Sequence, residues 1–314
     1  MQVTLESVLL DRFKAALCRL DCAEDRLLCA VSGGPDSLAL LLLAQHALPG
    51  KLVAVTVDHQ LRPESADEAQ IVAEICCNFG IPHVILTPDE KISGNLQSSA
   101  RTARYTLLER AADAQNCKHI ATAHHADDQL ETLLMRLARG SGVDGLSGIR
   151  ARNGRVIRPV LEFTKAELAD ICSSAGIQAV DDPSNANIDF DRVAMRDWLS
   201  SKQHPFLVPR ALRTASALAD ASDALAWMTE TLAAQRITQN NDVIICKAMG
   251  LPRELKRRLL IRCLKTMEIN LAPRGDAIDR LLTDLENAHT AMIGNIRCRG
   301  GDDWQFSKAP PRRN

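Results

Sequence analysis

The feature that most constrains this chain is the hexapeptide Ser32-Gly33-Gly34-Pro35-Asp36-Ser37, set between the apolar run 27–31 and a leucine- and alanine-rich stretch reaching about Leu48. A short apolar run, a glycine pair and a helical segment make a strand–turn–helix unit. The glycines let the backbone turn tightly and aim its N–H groups inward. A helix N-terminus then adds positive potential for an anion. Pro35 has no N–H, but the first helical turn tolerates it. The donors left are the amides of Gly33, Gly34, Asp36 and Ser37 and the hydroxyls of Ser32 and Ser37. No lysine follows, so this is not a Walker A loop. Asp36 is unexpected there, because a carboxylate repels phosphate unless a cation lies between them.

The rest of the first two-thirds repeats the same alternation. Valine-rich 52–57, 83–86, 119–123 and 156–157 read as strands, the first of a kind that suits a buried parallel sheet. Between them, 65–80 opens on the capping pair Ser65/Glu68, and 96–114 and 127–139 have helical periodicity. Thr164/Glu167 caps another helix, which Gly176 stops. Strands alternating with helices predict an α/β fold with a doubly wound parallel sheet. Ligands bind such sheets outside the carboxyl ends of the strands. The polar clusters after Val31, Val57 and Ala123 all fall on that edge. Beyond Asp181 the alternation stops. Helices are expected at 211–235, 251–267 and 277–287, with a short β element at 296–306. The expected domains are therefore 1–215, catalytic, and 216–314, smaller and mainly helical.

Net charge is −1, yet its distribution is uneven. Residues 1–135 carry 11 basic against 18 acidic side chains, 136–165 carry 7 against 2, and 190–265 carry 13 against 7. The two basic stretches suit either solvated helix faces or a phosphate-contacting surface. The ten cysteines form no Cys-x-x-Cys pair, which argues for packed free thiols rather than a zinc or cluster site. Charges interrupt the first twenty residues, and no apolar run is long enough to span a bilayer, so a cytoplasmic location and no membrane partner are expected.

The loop resembles the SGGxDS loop of the N-type ATP pyrophosphatases (the PP-loop family), which cleave ATP between its α- and β-phosphates. Four further stretches resemble the bacterial tRNA(Ile)-lysidine synthetases within that family: Asp58-His59-Gln60-Leu61-Arg62, Ala100-Arg101-Thr102-Ala103-Arg104-Tyr105, the run from Ala121 through His124-His125-Ala126-Asp127-Asp128-Gln129-Leu130-Glu131-Thr132 to Arg139-Gly140-Ser141-Gly142, and Asp182-Pro183-Ser184-Asn185 followed by Arg192 and Arg196. Together they cover about 27–200. On a helix, Asp128 and Glu131 share a face, as do Arg101 and Arg104. Paired carboxylates there suit a divalent cation or a substrate ammonium, and paired arginines suit phosphate or a reacting base oxygen.

The resemblance implies an ATP-dependent ligase. AMP is transferred to the oxygen on ring carbon two of the wobble cytidine in an isoleucine tRNA with a CAU anticodon. The ε-amine of free L-lysine then displaces AMP to give lysidine. It further implies ATP contacts from Ser32, Gly33, Gly34, Pro35, Asp36, Ser37, His59, Arg62 and His124, and Mg²⁺ on Asp36 and Asp128. Arg104 and Arg196 would stabilise the adenylated intermediate, and Glu131 would anchor lysine. The expected tRNA surface comprises Arg101, Arg136, Arg139, Arg192, Arg257 and Arg258, joined by Arg150, Arg152, Arg155, Arg158, Arg253 and Lys256. The longest family members carry an additional C-terminal domain; the resemblance here extends to the forms with a single extra domain, and one helical appendage is expected. A tRNA thiolase of the same loop type, which would need reactive cysteines, and a non-catalytic ATP-binding regulator are the alternatives. Oligomeric state stays open, a homodimer included.

Overall fold

Residues 27–31 and 52–55 have no polar side chain, and the fold buries them on both faces of one sheet. The computed structural model describes residues 6–60, 65–89, 96–177, 190–201, 204–269, 271, 273 and 275–309. The chain forms two compact units, Met1–Ala219 and Asp220–Asn314. The first contains, in order, α1 (Ser7–Arg19), β1 (Leu27–Ala30), α2 (Pro35–Ala47), β2 (Leu52–Val57), α3 (Ser65–Asn78), β3 (His83–Leu86), α4 (Leu96–Ala114), β4 (His119–Ala121) and α5 (Ala126–Ala138). There follow α6 (Val143–Leu146), β5 (Arg152–Asn153), β6 (Val156–Ile157), α7 (Lys165–Ser174) and α8 (Phe190–Ser200). Helix α9 (Val208–Arg236) begins in this unit and ends in the second.

The sheet order is β3-β2-β1-β4-β6-β5, parallel except for the short edge strand β5. The period-2 alternation of strands explains the two-sided core. Leu27, Cys29, Leu52 and Ala54 face a layer holding α1, α2 and α7, while Leu28, Ala30, Val53 and Val55 face α4. Helix α2 lies inside its layer, with Leu38 through Ala44 all buried, so it is apolar all round rather than amphipathic. Truncating one of its leucines to alanine should cost about 2–5 kcal/mol. Strand order reverses between β1 and β4, which creates a crevice at their carboxyl ends.

The expected doubly wound parallel sheet is thus present. Helix α1 was not foreseen, although Leu9, Phe13, Ala16, Leu17 and Leu20 stand at helical spacing and pack on this core. In the second unit the β element expected near 296–306 is part of a larger sheet. Strands β7 (Ile237–Asn240), β8 (Val243–Cys246), β9 (Thr290–Ile293), β10 (Ile296–Arg299) and β11 (Trp304–Lys308) form an antiparallel sheet ordered β7-β8-β11-β10-β9. Helices α10 (Arg253–Met267) and α11 (Gly275–Glu286) supply the rest of its core. Ile296 and Cys298 point into that core, and Arg297 and Arg299 point to solvent. This is the half-buried alternation of an antiparallel sheet with one wet face.

Candidate active site

The crevice begins where β1 ends. Gly33 adopts φ +88°, a conformation that favours glycine, and Gly34 is the N-cap of α2 with Pro35 in the first turn. Ser37 Oγ closes the loop, donating to Gly34 O at 2.9 Å and accepting from Ser32 N at 3.1 Å. The first amides of α2 have no intrahelical partner and remain available to an anion. The loop is braced from behind by α7, whose Cys172 thiol donates to Pro35 O at 3.1 Å.

Asp36 and Asp128 come from different elements and meet at one imidazole. His125 is 4% exposed, and its Nε2 lies 3.5 Å from Asp36 Oδ2 and 3.6 Å from Asp128 Oδ2. Its Nδ1 lies 3.6 Å from Asp127 Oδ2. Burial pushes the His125 pKa down, but Asp127 and Asp36, helped by Asp128, overcome it and raise the value to about 10. The surrounding carboxylates thus favour the imidazolium form of the ring. Asp128 Oδ2 also accepts from His125 N at 3.1 Å, which anchors it at the start of α5. Arg196 on α8 donates to Glu131 Oε1 at 2.8 Å and lies 3.4 Å from Asp128 Oδ1. Asp36 Oδ1 is buried and has no hydrogen-bond partner among the described residues. Two carboxylates, one with an unsatisfied buried oxygen, beside a phosphate loop fit Mg²⁺, which favours one or two carboxylates plus phosphate oxygens.

The other half of the crevice is cationic. Burial and the Arg104 charge push His59 down, with Asp58 opposing. Burial, then the nearby Arg101, lower the Arg104 pKa against the influence of Tyr105, and Arg104 meets no carboxylate among the described residues. A guanidinium stays charged regardless, so Arg104 is an uncompensated cation suited to an oxyanion. Arg101 is exposed and stacks over the Tyr105 ring at 5.1 Å.

Sequence reasoning missed three parts of this site. His125 is the hub of the acidic half, and Asp127 accepts from Lys165 N at 2.8 Å, tying α7 to α5. Gln129 is buried and clamps Ile149 through Nε2 to the carbonyl at 3.1 Å and Oε1 to the amide at 2.6 Å. The His-His-x-Asp-Asp-Gln string displayed all three, but only tertiary contacts distinguish structural members from reactive ones.

Several expected tRNA contacts are engaged elsewhere. Arg152 donates to His119 Nδ1 at 3.0 Å, and Arg155 binds Asp113 at 2.6 Å, Glu109 at 3.1 Å and the carbonyls of Cys117 and Lys118. Arg155 precedes β6, and the Arg152 guanidinium reaches His119, the first residue of β4, so both charged heads lie toward the amino ends of the strands, away from the crevice. Arg158 returns to the crevice edge but is only 7% exposed. On α10, Arg253 lies 3.5 Å from Asp279 and from Glu286, Lys256 2.8 Å from Glu286, Arg257 3.7 Å from Asp279 and Arg258 2.8 Å from Glu254. Arg136 and Arg139 are exposed at the end of α5. Arg62 and 182–185 lie outside the described residues, as does the side chain of Arg192.

The loop, the crevice and the strand order define a PP-loop protein, and residues 5–203 match the family model described as the PP-loop domain. A tRNA(Ile)-lysidine synthase of Zymomonas mobilis is 42% identical over 295 residues, 90% of this chain and 88% of that one. Another from Novosphingobium aromaticivorans is 39% identical over 322 residues, 96% and 94% of the two chains. The chain belongs to the tRNA(Ile)-lysidine synthase family. Among solved structures, a U34-tRNA thiolase from Methanococcus maripaludis covers 67% of this chain and 76% of its own with TM-score 0.57 and 19% identity, a likeness of fold alone.

Proposed function

We propose that this chain is the ligase that forms lysidine on isoleucine tRNA, using ATP and free lysine. The observation that carries this reading is the convergence of Asp36 from the phosphate loop and Asp128 from α5 on His125, with Glu131 and Arg196 alongside. The chemistry needs this arrangement because oxide is a very poor leaving group. The cytidine O2 forms a bond to the α-phosphorus of ATP, the bond to the β-phosphate bridging oxygen breaks, and pyrophosphate leaves. The lysine ε-amine then bonds to ring carbon two, the carbon–oxygen bond breaks, AMP leaves and the nitrogen sheds its extra protons.

In this scheme the amides of Gly33, Gly34, Asp36 and Ser37 hold the outer phosphates. Asp36 and Asp128 would hold Mg²⁺, which supplies charge neutralisation at the phosphates. Arg104 and Arg196 stabilise the negative charge of the adenylated base. Glu131 anchors the lysine ammonium. Unstacking of the target base costs little in an anticodon loop. Arg101, Arg136 and Arg139 contact the tRNA backbone.

The thiolase alternative needs a nucleophilic thiolate. Eight of the ten cysteines are buried, and burial pushes Cys76 up to about 12 and Cys172, with Asp36 adding, to about 11. The experiment is mass spectrometry of isoleucine tRNA after incubation with the protein, ATP and isotopically labelled lysine. Label is expected at the wobble base with one AMP released per lysine; AMP release without label in RNA would overturn the assignment.

A further inference from the structure

The cationic half of the crevice contains a hydrogen-bond relay that fixes one proton. His124 Nδ1 has two neighbours: Thr122 Oγ1 at 3.0 Å and Arg158 Nε at 3.3 Å. A threonine hydroxyl donates or accepts, so it leaves the tautomer open. A guanidinium only donates. Nδ1 facing Arg158 therefore has no proton, and the proton of a neutral ring is on Nε2. We propose that Arg158 is a positioning residue for the ligase reaction, holding His124 as an Nε2–H donor to an oxygen of the bound substrates.

Arg158 is itself held for this task. It directly follows β6, is 7% exposed, and donates from Nη1 to Arg150 O at 2.6 Å. Burial lowers its pKa, with Arg101 acting in the same direction and Tyr105 against, and it remains charged. The groups facing His124 reinforce the neutral ring. Burial pushes it down most, Asp128 opposes, and Arg158, Arg101 and Arg104 push it further down, to about 4. Among the described residues nothing accepts from Nε2, and His124 is only half-buried, so this N–H is free for substrate.

Two consequences separate His124 from its neighbour His125. With Nδ1 occupied by donors and Nε2 protonated, His124 has no lone pair for a metal or for a proton from lysine. Its available act is to donate to oxygen, either a nucleotide phosphate oxygen or the cytosine oxygen that leaves with AMP. What receives the bond rests on the reaction proposed above; the tautomer does not.

The test uses the full chain labelled with 15N-histidine, His124 being assigned by comparison with His124→Asn. Long-range 1H–15N spectra distinguish protonated from bare ring nitrogens without any turnover. The wild type should show bare Nδ1 and protonated Nε2, retained in Arg158→Lys and lost to a mixture in Arg158→Leu. Lysidine formation by Arg158→Leu should fall about 10–100-fold in kcat, with KM for tRNA unchanged. A concurrent rise in KM for ATP assigns the acceptor to the nucleotide; a fall in kcat alone assigns it to the leaving oxygen. A protonated Nδ1 in the wild type overturns the proposal even if the leucine variant fails to fold. So does an unchanged tautomer in Arg158→Leu, or a raised KM for tRNA with the ring unaffected, which would make Arg158 an RNA contact.

Discussion

One buried imidazolium sets the geometry of the acidic half of the crevice. His125 places one positive charge among three carboxylates that would otherwise only repel one another, and it links the phosphate loop to α5 without a covalent tie. Removing one of the three therefore leaves the imidazolium paired with the other two. Asp36→Asn should keep the fold and tRNA binding while pyrophosphate release drops by about 10²–10³-fold. Rapid-quench measurement of pyrophosphate beside filter binding of tRNA checks this, and parallel loss of both would make Asp36 a structural residue. At this scale the motifs of the sequence named groups that the crevice does bring together: the loop with Asp36, Asp128, Glu131 and Arg196. It could not reveal what His125 and Arg158 touch. An arginine beside a hairpin reads as a surface cation until the fold shows which carbonyl and which imidazole it meets.

Elements position these residues through a few specific braces. Gln129 holds the backbone of Ile149 from the buried face of the helix that carries Asp128 and Glu131. Gly148 allows it: its φ is +67°, and a Cβ there would collide with the Gln129 carboxamide. Gly148→Ala should lower stability by about 1–3 kcal/mol and reduce lysidine formation, as read by thermal melts and turnover; an unchanged melt would show that Gln129 moves aside freely. Helix α7 is braced at its other end. Thr164 Oγ1 and Glu167 exchange capping hydrogen bonds, and Arg12 of α1 pairs with Glu167 while stacking on Phe163 at 4.4 Å. Burial pushes the Glu167 pKa up, but Arg12 and Thr164 outweigh it and hold it below the ordinary 4.5. A depressed carboxyl stabilises the fold above its unfolded pKa, and that contribution disappears as pH falls through the folded value. Glu167→Gln should thus lower the melting temperature at neutral pH and flatten its decline below pH 4.5; a decline as steep as wild type would exclude Glu167 as a source of acid sensitivity. The strands and α2 were legible because hydrophobic runs and glycines are local signals. Helix α1 and most of the five-stranded sheet were not, since short strands such as Ile237–Asn240 gain their identity from partners distant in sequence.

Over the whole molecule the question is which cations reach the tRNA, since net charge is only −1. The sequence pointed to 251–267, but a count of basic residues does not show where the compensating acids fold back. Asp279 and Glu286 of α11 lie against Arg253, Lys256 and Arg257, so that helix offers little uncompensated charge. By contrast, Arg136 is exposed in the first unit, and Arg297 and Arg299 project from the wet face of the second unit's sheet without an acid among the described residues. Binding to RNA gains from counterions released by each phosphate that is neutralised, and a cation already paired within the protein contributes little to that release. Removing an uncompensated contact should reduce the slope of log affinity against log salt by about one. Arg136→Gln and Arg299→Gln are each expected to do so in fluorescence titrations of isoleucine tRNA across a salt series. Arg257→Gln should leave the slope as it is, and its exposed ion pair should cost no more than about 1 kcal/mol of stability. If Arg257→Gln flattens the slope as much as Arg136→Gln does, the ion pair with Asp279 opens on binding, and α10 joins the RNA surface.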